Sequence, residues 1–320
     1  MACDKDIAFS GKETAPVLVV ECMACCDSTV EAIVSGSLFF LNAQNEFPEI
    51  TNATVHLLVN GYAVETLNHA GYGHYLGTYR PHEGDTLQLQ VSAPGYPSVN
   101  TETVVPYRTQ LLSIDTTVTQ TAVKPLIFTS WGVPTPDTVG TTFSLLHHFE
   151  IRFTNTPGKE EYYRLVVEVY NNASTYLWSG DSPTYLTDFN DLVFGTEKGS
   201  SGGGLSEETD RNPYNVFDDN LIDGKFHTLR FDYQQDFNHY FSSMGYVDST
   251  YTPRIVVDLQ AISRSYYLYL KTLDTYRHSD GIVTEKTQIY SNIVGGLGIM
   301  GTRTRQPHSF TLPTSTWPNR

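Results

Sequence analysis

From Val17 to about Pro106 the sequence repeats one device, a short run of alternating apolar and polar residues closed by a turn signal. The runs VLVV (17–20) and TVEAIVSGSLFF (29–40) come first. TVHLLVN and GYAVETL then meet at Asn60-Gly61, a dipeptide that tolerates the positive φ angles of a tight type I′ hairpin. Alternation puts Val55, Leu57 and Val59 on one face of the first arm. GHYLGTY and EGDTLQLQVSAPGY follow; in the second, Leu87, Leu89 and Val91 face inward while Gln88 and Gln90 face out. Strands this short, with turns at this spacing, predict a small Ig-like β-sandwich over 17–106.

Beyond Pro106 the pattern stays β-rich. FEIRF (149–153) alternates cleanly, and YYRLVVEVY (162–170) sets Tyr163, Leu165, Val167 and Val169 on one face. DGKFHTLRFDY (223–233) and RIVVDLQAI (254–262) read as further strands. One helix is expected over about 263–277, with Ser263 as N-cap and an apolar stripe of Tyr266, Tyr269, Leu270, Leu273 and Tyr276. The stretch KGSSGGGLS reads as a flexible loop. The expected fold is mainly β, with a linker over 1–16, the sandwich over 17–106 and a larger β-rich domain over 107–320.

Charge narrows the function. A formal net charge of −15 argues against nucleic acid, whose binders cluster Lys and Arg to displace counterions from phosphates. It argues equally against adhesion to anionic lipid. No run approaches the ~18 apolar residues of a membrane span, so any attachment to a membrane has to come from a lipid. Cys3 stands in the polar, charged start MACDKDIAF, where a free thiol is a liability. It is either an incidental cysteine or the acylated first residue of a mature bacterial lipoprotein. The other three cysteines sit in ECMACC. Cys22 and Cys25 have the spacing of half a zinc site, but no second Cys or His pair completes it, so they read as structural.

Other motifs divide between chemistry and packing. Gly199-Ser200-Ser201-Gly202-Gly203 matches the G-x-S-x-G string of serine hydrolases but lies in a Gly/Ser linker, without the strand-to-helix turn that such a nucleophile needs. Asp218, Asp219 and Asp223 in FDDNLIDGK are hard oxygen ligands dense enough for Ca²⁺. The EF-hand register fails there, which favours an Asp223-Gly224 hairpin turn with solvated carboxylates. His147 and His148 are adjacent on a strand and so point to opposite faces, unable to chelate one metal together. No catalytic nucleophile–base constellation is readable. Trp131, Trp178 and Tyr176 lie in polar, loop-like contexts, where aromatic rings can stack on sugars or peptides.

The most distinctive stretch is IYSNIVGGLGIMG (289–301), whose Gly295, Gly296 and Gly298 imply close backbone approach. Taken in order with Cys3, VLVVE, EGDTLQLQV, EYYRL, FDDNLIDGK, AISRSYYLYLKTL and YSNIVGGLG, it resembles the bacterial outer-membrane lipoprotein family known as domain of unknown function 4249. The resemblance covers nearly the whole chain. It implies an accessory lipoprotein of SusC/SusD-type uptake systems, held in the outer membrane by lipid on Cys3 and facing the cell exterior. The implied partners are a TonB-dependent transporter and its SusD-like lipoprotein, with a peptide or oligosaccharide as ligand; it carries no catalytic residues. Two other readings stand beside it: a surface hydrolase acting on peptide or glycan, and a purely structural subunit of the uptake complex.

Overall fold

A computed structural model describes residues 15–39, 47–128, 137–170, 184–186, 189, 191–194, 212–242, 245–248, 253–277 and 288–312. Over the described residues the protein is mainly β, with several sheets and one α-helix toward the C-terminal end. It divides into two compact units. The first comprises residues 1–106 together with 288–303, and the second comprises 107–287 with 304–320. The segment 288–303, which falls in the larger domain expected over 107–320, is grouped with the first unit.

The first unit begins with β1 (Leu18–Cys25), β2 (Glu31–Gly36), β3 (Thr54–Val59) and β4 (Tyr62–Thr66). It continues with β5 (Asn68–Gly71), β6 (His74–Leu76), β7 (Thr86–Ser92) and β8 (Val99–Val104). One sheet runs β4-β3-β7-β8, and another joins β1, β2, β6 and β5 in that order. Asn60 and Gly61 both have positive φ, 53° and 83°, as the tight hairpin between β3 and β4 requires. The expected inward faces hold: Val55, Leu57, Leu87 and Leu89 are buried with Leu18, Val20 and Val34 in one core between the two sheets. Strand β1 runs on to Cys25 of ECMACC and buries Cys22 and Cys25. None of the three described cysteines is in a disulfide.

The second unit contains β9 (Gln110–Gln120), β10 (Lys124–Phe128), β11 (Asp137–Thr154), β12 (Tyr162–Tyr170) and β13 (Thr184–Leu186). After them come β14 (Val216–Asp218), β15 (Phe226–Ser242), β16 (Gly245–Asp248), β17 (Arg254–Ile262) and α1 (Arg264–Arg277). One sheet is built on the long antiparallel pair of β11 and β15, with β9 and β10 dividing the other edge of β11. A second is built on β12 and β17. Their facing residues, among them Phe149, Ile151, Phe153, Tyr163, Leu165, Val257 and Leu259, form its core. Ser263 Oγ accepts from the Tyr266 N–H at 3.4 Å, the N-cap bond expected of it. Tyr266 and Leu270 are buried, whereas Tyr276 at the end of the stripe is exposed.

The chain then supplies β18 (Leu297–Thr304) and β19 (His308–Thr311). β18 lies parallel to β1, from Val19 opposite Leu297 to Cys25 opposite Arg303. β19 pairs with β17 in the second unit. No helix among the described residues is long and apolar enough to cross a membrane.

Candidate functional site

The outward face of the β3-β7-β8 sheet carries an open groove of about 400 Å³, lined by His56, Gln88, Gln90, Ser92, Asn100 and Glu102 among others. Period-two alternation explains the lining, because every residue whose neighbour enters the core must itself point to water. Register then sets the side chains in rows across the strands. His56 stands opposite Gln90, and Gln90 opposite Asn100. The next row holds Leu58, Gln88 and Glu102. Adjacent strands lie about 4.8 Å apart, so the members of a row can reach one ligand together.

Neighbouring bonds hold this face in place. His56 Nδ1 lies 2.8 Å from Thr66 Oγ1 on β4, and the Gln88 amide donates to the Glu102 carboxylate. The other edge of β8 is met at Asn100 by Val294 and at Val104 by Thr302 of β18. Asn100 and Val294 exchange backbone hydrogen bonds, and the Thr302 hydroxyl donates to the Val104 carbonyl at 2.6 Å. Asp85, just before β7, accepts from the His82 N–H and the Tyr79 hydroxyl, each at 2.8 Å, and from the Asn60 amide at 3.1 Å. Burial pushes the Asp85 carboxyl up, but these donors outweigh it and hold the group below its ordinary value. The Tyr79 hydroxyl is pushed up to about 12, by burial and by its bond to that carboxylate.

A second constellation lies on the second unit. His148 projects from the outward face of β11, with Nδ1 2.8 Å from Asp232 Oδ1 on β15 and Nε2 3.0 Å from Thr119 Oγ1 on β9. A hydroxyl, an imidazole and a carboxylate in that order are the components of a nucleophile–base–orienter relay. The His148 and Asp232 side chains are 35% and 56% exposed, so water competes for both bonds. His147, pointing the other way as adjacent strand residues must, is buried, with Nε2 3.1 Å from Gln235 Oε1 and no hydrogen-bond partner at Nδ1 among the described residues. Burial holds its pKa below the ordinary histidine value.

The acidic turn hands each of its carboxylates to protein donors. Asp218 accepts from the Tyr267 hydroxyl and the Asn220 N–H, Asp219 from the Asn155 amide at 3.0 Å, and Asp223 from the Gly158 N–H at 2.9 Å. The three carboxylates are thus committed to separate partners. Among the described residues no group of three or more His, Cys, Asp or Glu side chains can hold a metal ion. Nor is the turn a hairpin, since β14 pairs with β12 while β15 pairs with β11. Asp219 is buried rather than solvated, and burial raises its pKa. Its role is to tie the 218–225 turn to Asn155, whose side-chain Oδ1 also accepts the Gly224 N–H.

Cys3, Trp131, Tyr176, Trp178 and the 199–206 glycine loop lie outside the described residues. The groove contains none of the residues singled out as ligands from the sequence. Gln88 and Gln90 were legible as outward-facing, but nothing in the alternation marked His56, Asn100 or Glu102 as their neighbours. A family model described as "Domain of unknown function (DUF4249)" matches residues 4–306. No curated protein and no solved structure matches the chain.

Proposed function

Because this chain belongs to the DUF4249 family, we propose that it is a non-enzymatic binding component of a nutrient-uptake complex at the bacterial surface, anchored by lipid on Cys3. The observation that carries the binding role is the open groove on the first unit, where donors and acceptors from three strands converge on one face. Rigid sheets position such groups at fixed spacing, which lowers the cost of ordering them around a ligand. The ligand is a peptide or an oligosaccharide, and the partners are a TonB-dependent transporter and its SusD-like lipoprotein. Stable anchoring takes more than one acyl chain, since a single chain holds only marginally.

Two measurements test this reading. Produced with an export signal in a Gram-negative host, Cys3→Ala protein should move from the membrane to the soluble fraction; unchanged retention overturns the anchor. Native protein extracted from membranes should bring a transporter with it.

The Thr119–His148–Asp232 relay favours a second reading, a surface hydrolase. Incubation with mixed peptides and oligosaccharides, followed by mass spectrometry, separates the two. Turnover that disappears in His148→Ala would replace the binding reading with the hydrolytic one.

A further inference from the structure

We infer that the groove on the β3-β7-β8 face is a site for a neutral, polyhydroxylated ligand, a short oligosaccharide, held chiefly by the side-chain amides of Gln90 and Asn100. This rests on the binding role proposed above and names its ligand class. The charge of the lining is the first argument. Glu102 is the one charged side chain among the lining residues, no Lys or Arg joins it, and the chain as a whole carries −15. An anionic ligand would meet a carboxylate and no cation, so acidic sugars and phosphorylated compounds are disfavoured. Part of the Glu102 acceptor capacity is already taken by the Gln88 amide, leaving a site suited to hydroxyl donors.

Hydrogen-bonding capacity is the second argument. Gln90 and Asn100 stand directly opposite each other in the β7–β8 register, and both are exposed. Each amide offers an acceptor oxygen and two N–H donors. A hydroxyl both donates and accepts, so adjacent hydroxyls on a sugar ring can satisfy an amide from either side. Imidazole adds a flat face at the end of the row, with His56 held there through Thr66.

A peptide fits less well. Extended peptides gain specificity from pockets for alternate side chains, and their backbone pairs with a free strand edge. Here the side chains that project into the groove are polar, the apolar lining residues Leu89, Val91 and Val99 belong to the core, and the β8 edge is occupied at Asn100 by Val294.

The test is a titration of ¹⁵N-labelled full chain with a size-graded mixture of neutral gluco-oligosaccharides and, in parallel, with a mixture of uncharged tripeptides. Side-chain and backbone amide shifts of β7 and β8 are followed. Saccharide should shift Gln90 and Asn100, and the double variant Gln90→Ala, Asn100→Ala should weaken binding at least about tenfold, as expected for losing two net hydrogen bonds. Its melting temperature should stay that of the wild type, because both side chains are exposed. Shifts at these amides with tripeptide and not saccharide would overturn the ligand class while leaving the binding role intact. No shift on β7 or β8 with either mixture would overturn both.

Discussion

Replacing Gly298 by alanine should separate the parallel pair that closes the first unit. Gly298 has φ +110°, a conformation reserved almost entirely for glycine, and it stands opposite Val20 in the β1–β18 register. A Cβ there would lie 2.1 Å from the Val20 carbonyl oxygen and 2.9 Å from the Val20 N and C atoms, so backbone would have to move. The backbone conformation alone costs about 1–3 kcal/mol for a non-glycine residue. Forcing the strands apart adds about 1–3 kcal/mol of packing strain, since Val20 and Met300 are both fully buried. The sum, about 2–6 kcal/mol, is a large share of the ~5–15 kcal/mol that stabilises a typical domain. Gly61→Ala is the control: its φ is +83°, but nothing lies within 4 Å of the added Cβ, so it carries conformational strain without the clash. Hydrogen exchange read by mass spectrometry should show faster opening of peptides covering 18–25 and 297–303 in Gly298→Ala. If Gly298→Ala opens these strands no more than Gly61→Ala opens its own hairpin, the close-approach argument is wrong.

Asp258 is buried to 1% and accepts from Arg305 Nε at 2.7 Å and the Gln306 N–H at 2.8 Å. Arg305→Ala should cost about 3 kcal/mol in urea denaturation, the low end for a broken buried pair because a third of the Arg305 side chain is in water; no loss would show the bond to be ornamental. His147 has its pKa depressed by burial, so its contribution to stability is complete above the ordinary histidine value of about 6.5 and is lost as pH falls from there toward the folded value. The urea midpoint should therefore fall between pH 7.5 and 5.5, and His147→Met should flatten that fall; an equal slope in the variant would clear His147. The Cys22 thiol, fully buried and pushed up to about 12, should resist iodoacetamide at pH 8 until the protein is unfolded in urea, as peptide mapping of the alkylated protein would record.

What could be read beforehand followed from local rules. Alternation identified the buried faces of β3, β7 and β12, the Asn60-Gly61 dipeptide located a hairpin, and Ser263 marked the start of α1, because each depends on residues within one turn or one strand. Asp219 shows where that reasoning stops. The run FDDNLIDGK predicts a hairpin turn with solvated carboxylates, yet Asn155, on a connection 64 positions away, supplies a partner for Asp219. The groove failed to announce itself for the same reason. Outward-facing Gln90 is unremarkable until register places Asn100 beside it on one side and His56 on the other. Thr119 and Asp232 stand 29 and 84 positions from His148, and only the three-strand pairing brings them to it.

The first unit's dependence on residues 288–303 leads to a test of what constitutes a folding unit here. Sequence pattern predicts a β-sandwich over 17–106, since its strands alternate and its turns are local. In the structure the core of that segment is completed from outside it. Ile293 and Met300 come from the distant segment, and Met300 is fully buried against residues of β1 and its neighbours. Without β18 the N–H and C=O groups of β1 that face it lose their parallel partner, and an unpaired strand edge invites association. Asn292 braces the returning loop, donating to the Met300 carbonyl and accepting from its N–H, so the segment carries its own local order. A fragment ending at Pro106 should therefore be aggregation-prone, with a collapsed amide spectrum and no cooperative melt. The same fragment with 288–303 appended through a Gly/Ser linker of about 15 residues, which spans roughly 20 Å on average, should recover dispersed amide signals and a cooperative transition. A cooperative melt from 1–106 alone would show that β18 decorates a finished sandwich instead of completing it.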